Sequence, residues 1–194
     1  MNRVSVGIFV GGAGTRMGGI AKGALVTPEG DETLLERLVR VSREAIPNAA
    51  LFLVGSSTAY AALGLEQIDD DPRGSGPIGG LRALMLRARS LRVERAIALS
   101  CDLPFIDARV LKALNLPLAI AARVPFVEGR FQPFAATYAP EPTLAAIERV
   151  LLSSGKRSLM RVLDELGPDI ERLEGDAAFA RALRDWDTPS DVTR

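Results

Sequence analysis

The sequence predicts an α/β fold with a mostly parallel central sheet and helices on both of its faces. Three observations predict it. Short apolar runs rich in β-branched residues alternate with stretches of helical periodicity along the 194-residue chain. The first apolar run stops abruptly at a glycine-rich segment, as strands do ahead of a ligand-binding turn. A late pair of apolar runs flanks an Glu128-Gly129 turn, which adds a hairpin and makes the sheet mixed.

The elements follow in order. Residues 4–10, VSVGIFV, are nearly all apolar and read as a buried parallel strand. Residues 33–46 place Leu34, Leu38, Val41 and Ala45 on one helical face, with Thr33 as cap and Glu36 as its capping-box partner. ALFLVG at 50–55 and LEQID at 65–69 are the next strands. A helix opens at the Gly76-Pro77 junction, where proline suits the first turn. RAIALS at 95–100 is a further buried strand, and DARVLKAL a short helix. LAIAARV and FQPFAATY are expected as the two late strands, followed by helices at 141–152 and 158–166. Alternation of this kind implies right-handed crossovers within one domain over residues 1–194. Ligands in such sheets bind beyond the carboxyl ends of the strands, so the loops after Val10, Gly55, Asp69 and Ser100 are the ones to search.

Composition narrows the chemistry. Formal net charge is +0, with 47% hydrophobic and 25% charged residues, which argues against nucleic-acid binding and a basic membrane face. No apolar run has transmembrane length and no signal-peptide pattern is visible. Cys101 is the lone cysteine, which fits a reducing cytoplasm. The chain has no histidine, so Ser-His and Cys-His nucleophile systems and histidine zinc sites are excluded. A metal would have to sit on carboxylates, which favours a hard ion such as magnesium.

The segment GGAGTRMGGIAKG, from Gly11 to Gly23, concentrates the functional signal. Its spacing fits neither the Walker loop nor the dinucleotide fingerprint. Glycines still let backbone amides approach an anion, and Arg16 and Lys22 add positive charge, so the loop suits a triphosphate.

These residues resemble the G-G-x-S/T-x-R-M-G-x-x-K signature of the nucleotidyltransferases, and more narrowly the molybdenum cofactor guanylyltransferase (MobA) family. GPIGGL at 76–81 resembles that family's G-P-L-A-G-L. SCDLPFI at 100–106 resembles C-D-M-P-F, FQPFAATY a Q-P-L-F-A-L-Y element, and WDTPSDV at 186–192 the terminal N-T-P-E-D. The ordered set spans nearly the whole chain.

The resemblance implies a Rossmann-like nucleotidyltransferase fold. It also implies that Val10, Gly11, Gly12 and Gly14 line the nucleotide, that Arg16 and Lys22 meet its phosphates, and that Gly76, Pro77 and Gly80 lie beside the base. An aspartate among Asp69, Asp70 and Asp71 would read guanine through N1–H and N2–H; distance from the Gly-Pro motif favours Asp70. Asp102, directly after a strand, would offer one position to magnesium. The implied reaction is attack of the terminal phosphate of molybdopterin, or Mo-molybdopterin, on the α-phosphorus of GTP, with Arg16, Lys22 and Asp102 as the catalytic set. Arg157, Ser158, Arg161, Gln132 and Pro133 are candidates for the acceptor, and molybdoenzyme maturation proteins are expected partners.

The sequence departs from the family pattern at Ala21, where Asp usually precedes the lysine, at Val10, and at Trp186-Asp187. Ala21 keeps open a nucleotide-binding regulator without turnover. A cytidylyltransferase acting on the same cofactor is the nearest catalytic rival, and Gly12 with GPIGG leans towards guanine. Sugar-nucleotide pyrophosphorylases share the first motif but usually need a longer chain.

Overall fold

The computed structural model describes residues 4–11, 21–28 and 30–186. Eight strands form one sheet in the order β3-β2-β1-β4-β7-β5-β6, with β8 pairing to β5. In chain order they are β1 (Val4–Phe9), β2 (Ala50–Val54), β3 (Glu66–Ile68), β4 (Arg95–Ser100), β5 (Ala122–Val127), β6 (Arg130–Phe131), β7 (Ala135–Tyr138) and β8 (Ile170–Leu173). The pairs β1–β2, β1–β4, β2–β3 and β5–β8 are parallel. Antiparallel pairing of β7 with both β4 and β5 makes β7 run back against the rest of the sheet, as does β6 in its hairpin with β5.

Strand β1 shows how the sequence divides the core. Val4, Val6, Ile8 and Val10 point to one face, where they meet Leu35 and Leu38 of α1 (Leu34–Ala45), Leu111 of α3 (Ala108–Leu114) and Phe179 of α6 (Ala177–Ala182). Phe9 points to the other face. That side carries Leu81 and Leu84 of α2 (Pro77–Ser90), Ile147 of α4 (Pro140–Leu152) and Val162 of α5 (Leu159–Leu166). Period-two alternation in a strand buried on both sides thus recruits helices to both layers. Gly7 sets how closely α2 can lie: a Cβ there would sit 2.6 Å from Leu84 Cδ2 and 2.9 Å from Val54 Cγ2.

The α1 capping box forms as its sequence predicts. Thr33 N–H donates to Glu36 Oε2 at 2.8 Å, and Glu36 N–H donates to Thr33 Oγ1 at 3.3 Å. The Thr33 amide first, and then the Thr33 hydroxyl, which also donates to Glu36 Oε2 at 2.8 Å, hold the Glu36 carboxyl below its ordinary pKa.

The late strands differ from expectation in extent. The first begins at Ala122 and runs on through Pro125 to Val127. The second is interrupted at Pro133 into β6 and β7, because proline brings no amide to the ladder. Between β5 and β6, Glu128 (φ 51) and Gly129 (φ 77) make a two-residue turn with both residues left-handed, matching strand twist. Strand β8 and helix α6 add to the elements expected from the sequence. Arg123, buried on β5, ties β8 in by donating to Glu171 Oε2 at 2.7 Å. It also donates to the Leu116 and Pro117 carbonyls in the turn beyond α3. No helix among the described residues is long and apolar enough to cross a membrane.

Candidate active site

A cavity of about 640 Å³ opens at the carboxyl ends of β1, β2 and β4. Val10, Gly11 and Lys22 line it from the first loop, Asp70, Gly76 and Pro77 from the β3–α2 connection, and Asp102 from the end of β4. The structure therefore brings these sequence-predicted residues together. Gly12, Gly14 and Arg16 lie outside the described residues, as does Asp187.

The strand ends are drawn tight where the cavity begins. Val10 N–H donates to the Val54 carbonyl at 3.0 Å and prolongs the β1–β2 ladder. Gly55 then turns away with φ 98, and a Cβ on it would sit 3.1 Å from Gly11 N. Glycine is needed there on both counts.

Lys22 opens a single 3-10 turn, Lys22–Ala24. The next amide, Gly23 N–H, donates to the Tyr60 hydroxyl at 3.1 Å. That hydroxyl would sit 3.0 Å from a Cβ at position 23, so Tyr60 seats the turn against a glycine. From this perch Lys22 Nζ reaches Asp102 Oδ2 at 2.9 Å. Ala21, at the position where the family pattern has an aspartate, is partly buried against the core.

Asp102 is placed by β4. Cys101 N–H donates to the Phe9 carbonyl at 3.1 Å, extending the β1–β4 ladder by one residue. Asp102 Oδ1 accepts from the Ser100 hydroxyl, and its carbonyl accepts from Trp186 N–H at 2.9 Å. Trp186 is buried and packs edge-on against Phe105, with ring centroids 6.3 Å apart. Burial, then the Asp102 charge, pushes the Cys101 thiol up to about 12, which leaves it inert as a nucleophile at neutral pH.

The three consecutive aspartates divide. Asp69 pairs with Arg73 at 2.9 Å, and Asp71 pairs with Arg82. Asp70 alone of the three lines the cavity and has no ion pair among the described residues. Burial, reinforced by the Asp69 charge, raises its carboxyl above the ordinary aspartate value. Gly79 and Gly80 serve this placement from behind. A Cβ on Gly80 would lie 2.8 Å from Phe9 Cε1 and 3.2 Å from Asp70 Oδ1; on Gly79, 3.2 Å from Asp70 Cβ. Gly80 is buried under Asp70 and does not line the cavity, whereas Gly76 and Pro77 do.

The remaining wall is the loop ahead of β7. Gln132 N–H donates to Pro125 O at 2.9 Å, and Ser100 N–H donates to Phe134 O at 2.8 Å. The Tyr138 hydroxyl donates to Pro133 O at 2.8 Å. Gln132 and Pro133 thereby face the cavity. Arg157, Ser158 and Arg161 do not line it; the Ser158 hydroxyl caps α5 by accepting from Arg161 N–H at 3.4 Å. Sequence reasoning missed Ser100, Tyr60 and Asp185. Ser100 acts through a hydrogen bond to Asp102 two residues on, Tyr60 through one to Gly23 far away in sequence, and Asp185 reaches the cavity just beyond α6, an element the periodicity did not reveal.

As a metal site the cavity offers one strand-end carboxylate, Asp102, and no group of three or more Asp, Glu, Cys or His among the described residues. That donor set fits magnesium, which keeps several waters and completes its shell with substrate phosphates. It does not fit zinc.

The sheet order, the helices on both faces and a cavity at the strands' carboxyl ends define a Rossmann-like α/β domain. The chain belongs to the MobA-like NTP transferase domain family, whose model matches residues 6–181. It is 32% identical over 181 residues to a molybdenum cofactor guanylyltransferase of Pseudomonas syringae pv. syringae, covering 91% of this chain and 87% of that one. A molybdenum cofactor guanylyltransferase of Acidiphilium cryptum is 29% identical over 161 residues, covering 82% and 79%. Among solved structures, the 4-diphosphocytidyl-2C-methyl-D-erythritol synthase of Anaerococcus prevotii superposes with a TM-score of 0.73 over 98% of this chain and 92% of that one. At 13% identity that likeness speaks for the fold alone.

Proposed function

We propose that the chain is a molybdenum cofactor guanylyltransferase, transferring GMP from GTP to the terminal phosphate of molybdopterin or Mo-molybdopterin in the cytoplasm. The observation that carries this reading is one cavity holding two kinds of group: the Asp70 carboxylate, and the Lys22–Asp102 pair. Asp70 is suited to accept N1–H and N2–H of guanine, a pair of donors that cytosine lacks. Lys22 is suited to the triphosphate, together with Arg16 of the same loop. The names of the curated relatives support the acceptor.

Bond making and breaking balance without a protein nucleophile. An oxygen of the acceptor phosphate forms a bond to the α-phosphorus. The bond from that phosphorus to the β-phosphate oxygen breaks, and pyrophosphate leaves with the electron pair. A phosphate is already anionic at neutral pH, so the chain needs no histidine or serine base. Asp102 would hold magnesium, which supplies charge neutralisation on the triphosphate oxygens. Lys22 must exchange its contact with Asp102 for phosphate contacts, and Ser100 holds the carboxylate oriented while it does so. Positioning and charge compensation then account for the rate. Molybdoenzyme maturation proteins would receive the product.

The test is pyrophosphate release from a panel of nucleoside triphosphates with molybdopterin and magnesium. Release with GTP well above CTP and ATP is expected. Preference for CTP would replace the reading with a cytidylyltransferase. GTP binding without release on any phosphate acceptor would make the protein a nucleotide-binding regulator.

A further inference from the structure

A second concavity, of about 750 Å³, lies between the β5–β6 hairpin and α6. It shares Gln132, Leu183 and Asp185 with the first cavity, so the two open onto one another. Three arginines line it: Arg130 from the hairpin, Arg181 from α6 and Arg184 just beyond. All three are exposed, and none forms an ion pair with a described residue; Arg181 lies over the Phe105 ring at 5.6 Å. Glu128 and Asp185 are the carboxylates on the same walls. Val127 and Phe131 add a half-buried apolar wall. The hairpin carrying them is stiffened by edge-on packing of Phe126 on Phe131 at 5.0 Å and by Arg172 over Phe126 at 3.7 Å.

We propose that this groove seats the acceptor, with Arg130, Arg181 and Arg184 holding its phosphate monoester and the Val127–Phe131 wall taking its planar heterocycle. The proposal rests on the guanylyltransferase reading for the identity of that acceptor. The reaction joins two anions, and each repels the other on approach. Lys22, the cation lining the first cavity among the described residues, is committed to Asp102 and the triphosphate, so the second anion needs its own positive groups in a space continuous with the first. Guanidinium groups suit a phosphate because their planar forks donate two parallel hydrogen bonds. Gln132, common to both cavities, stands at the junction where the acceptor oxygen meets the α-phosphorus.

The test compares the wild-type chain with Arg130→Ser/Arg184→Ser and Arg130→Lys/Arg184→Lys variants. Both sites are exposed, so folding is checked simply by thermal melting. In the serine variant the KM for molybdopterin should rise about tenfold or more, while calorimetric GTP affinity stays within about twofold. The lysine variant should recover part of the loss, since charge remains and the fork does not. An unchanged acceptor KM, or an equal loss of GTP affinity, overturns the groove assignment. If the wild-type chain transfers nothing to molybdopterin, the guanylyltransferase reading has failed, and phenyl phosphate then tests the groove alone. Its ³¹P resonance should broaden with wild type and less with the serine variant; equal broadening, or none, overturns the assignment.

Discussion

The contact between Lys22 and Asp102 can be weighed by a double-mutant cycle of Lys22→Met and Asp102→Asn. Nζ and Oδ2 are 2.9 Å apart, and the two side chains are 21% and 13% exposed. At an effective dielectric of about 20, that separation corresponds to about 6 kcal/mol of attraction. Most of this is cancelled by withdrawing both charges from water. A coupling of about 1–3 kcal/mol should remain, between the value for a surface pair and that for a fully buried one. Each single variant should lose about 2–3 kcal/mol, and the double variant should lose clearly less than their sum. Urea unfolding of the four proteins measures this, and the cycle cancels whatever else either side chain touches. Additivity within about 0.3–0.5 kcal/mol would refute the closed pair in solution. In pyrophosphate-release assays each single variant should also fall ~10²-fold or more, because charge compensation at the transferring phosphorus is removed.

Asp70→Asn should weaken GTP about 10–100-fold, since two charge-assisted hydrogen bonds to the base become weaker or are lost; nucleotide calorimetry reads it. The same substitution should flatten one limb of the stability–pH profile. The folded-state pKa of Asp70 is raised, by burial first, so its contribution is most favourable below the ordinary value of 3.8 and declines as pH rises through the higher folded value. Gly80→Ala should cost about 1–2 kcal/mol in urea unfolding despite alanine's better helix propensity, because the new methyl meets Phe9 Cε1 at 2.8 Å and Val54 Cγ1 at 2.9 Å. It should weaken GTP as well by displacing Asp70; a variant as stable and as tight as wild type would count against the packing described.

Local signals in the sequence were strong where one element makes its own case. The Thr33–Glu36 box, the Gly76-Pro77 helix start and the Glu128-Gly129 turn each rest on chemistry within four residues, and each forms. Strand β8 and α6 left little trace. The first has four residues, none fully buried, and is recruited by a parallel register with β5 about fifty residues earlier. The second has six residues, too few for periodicity to register, and is started by Asp176 accepting from Phe179 N–H at 2.8 Å. The site shows the same division. Lys22 and Asp102 were visible as types beyond strand ends, and Asp70 by its distance from the Gly-Pro motif, whereas the pairing of Asp69 with Arg73 and of Asp71 with Arg82, which leaves Asp70 to the cavity, is set by the fold. The arginine groove was invisible because it is assembled from the two pieces whose existence or extent the pattern understated.

The reversal of β7 has an evolutionary consequence. Every loop on the nucleotide side of the cavity leaves a strand that runs toward it, whereas the 132–134 segment enters one that runs away. The two walls therefore belong to separately connected stretches of chain. On the proposed assignment of the two walls, mutation can reshape the later one to suit a different recipient molecule while the machinery that grips and activates the donor is inherited unchanged.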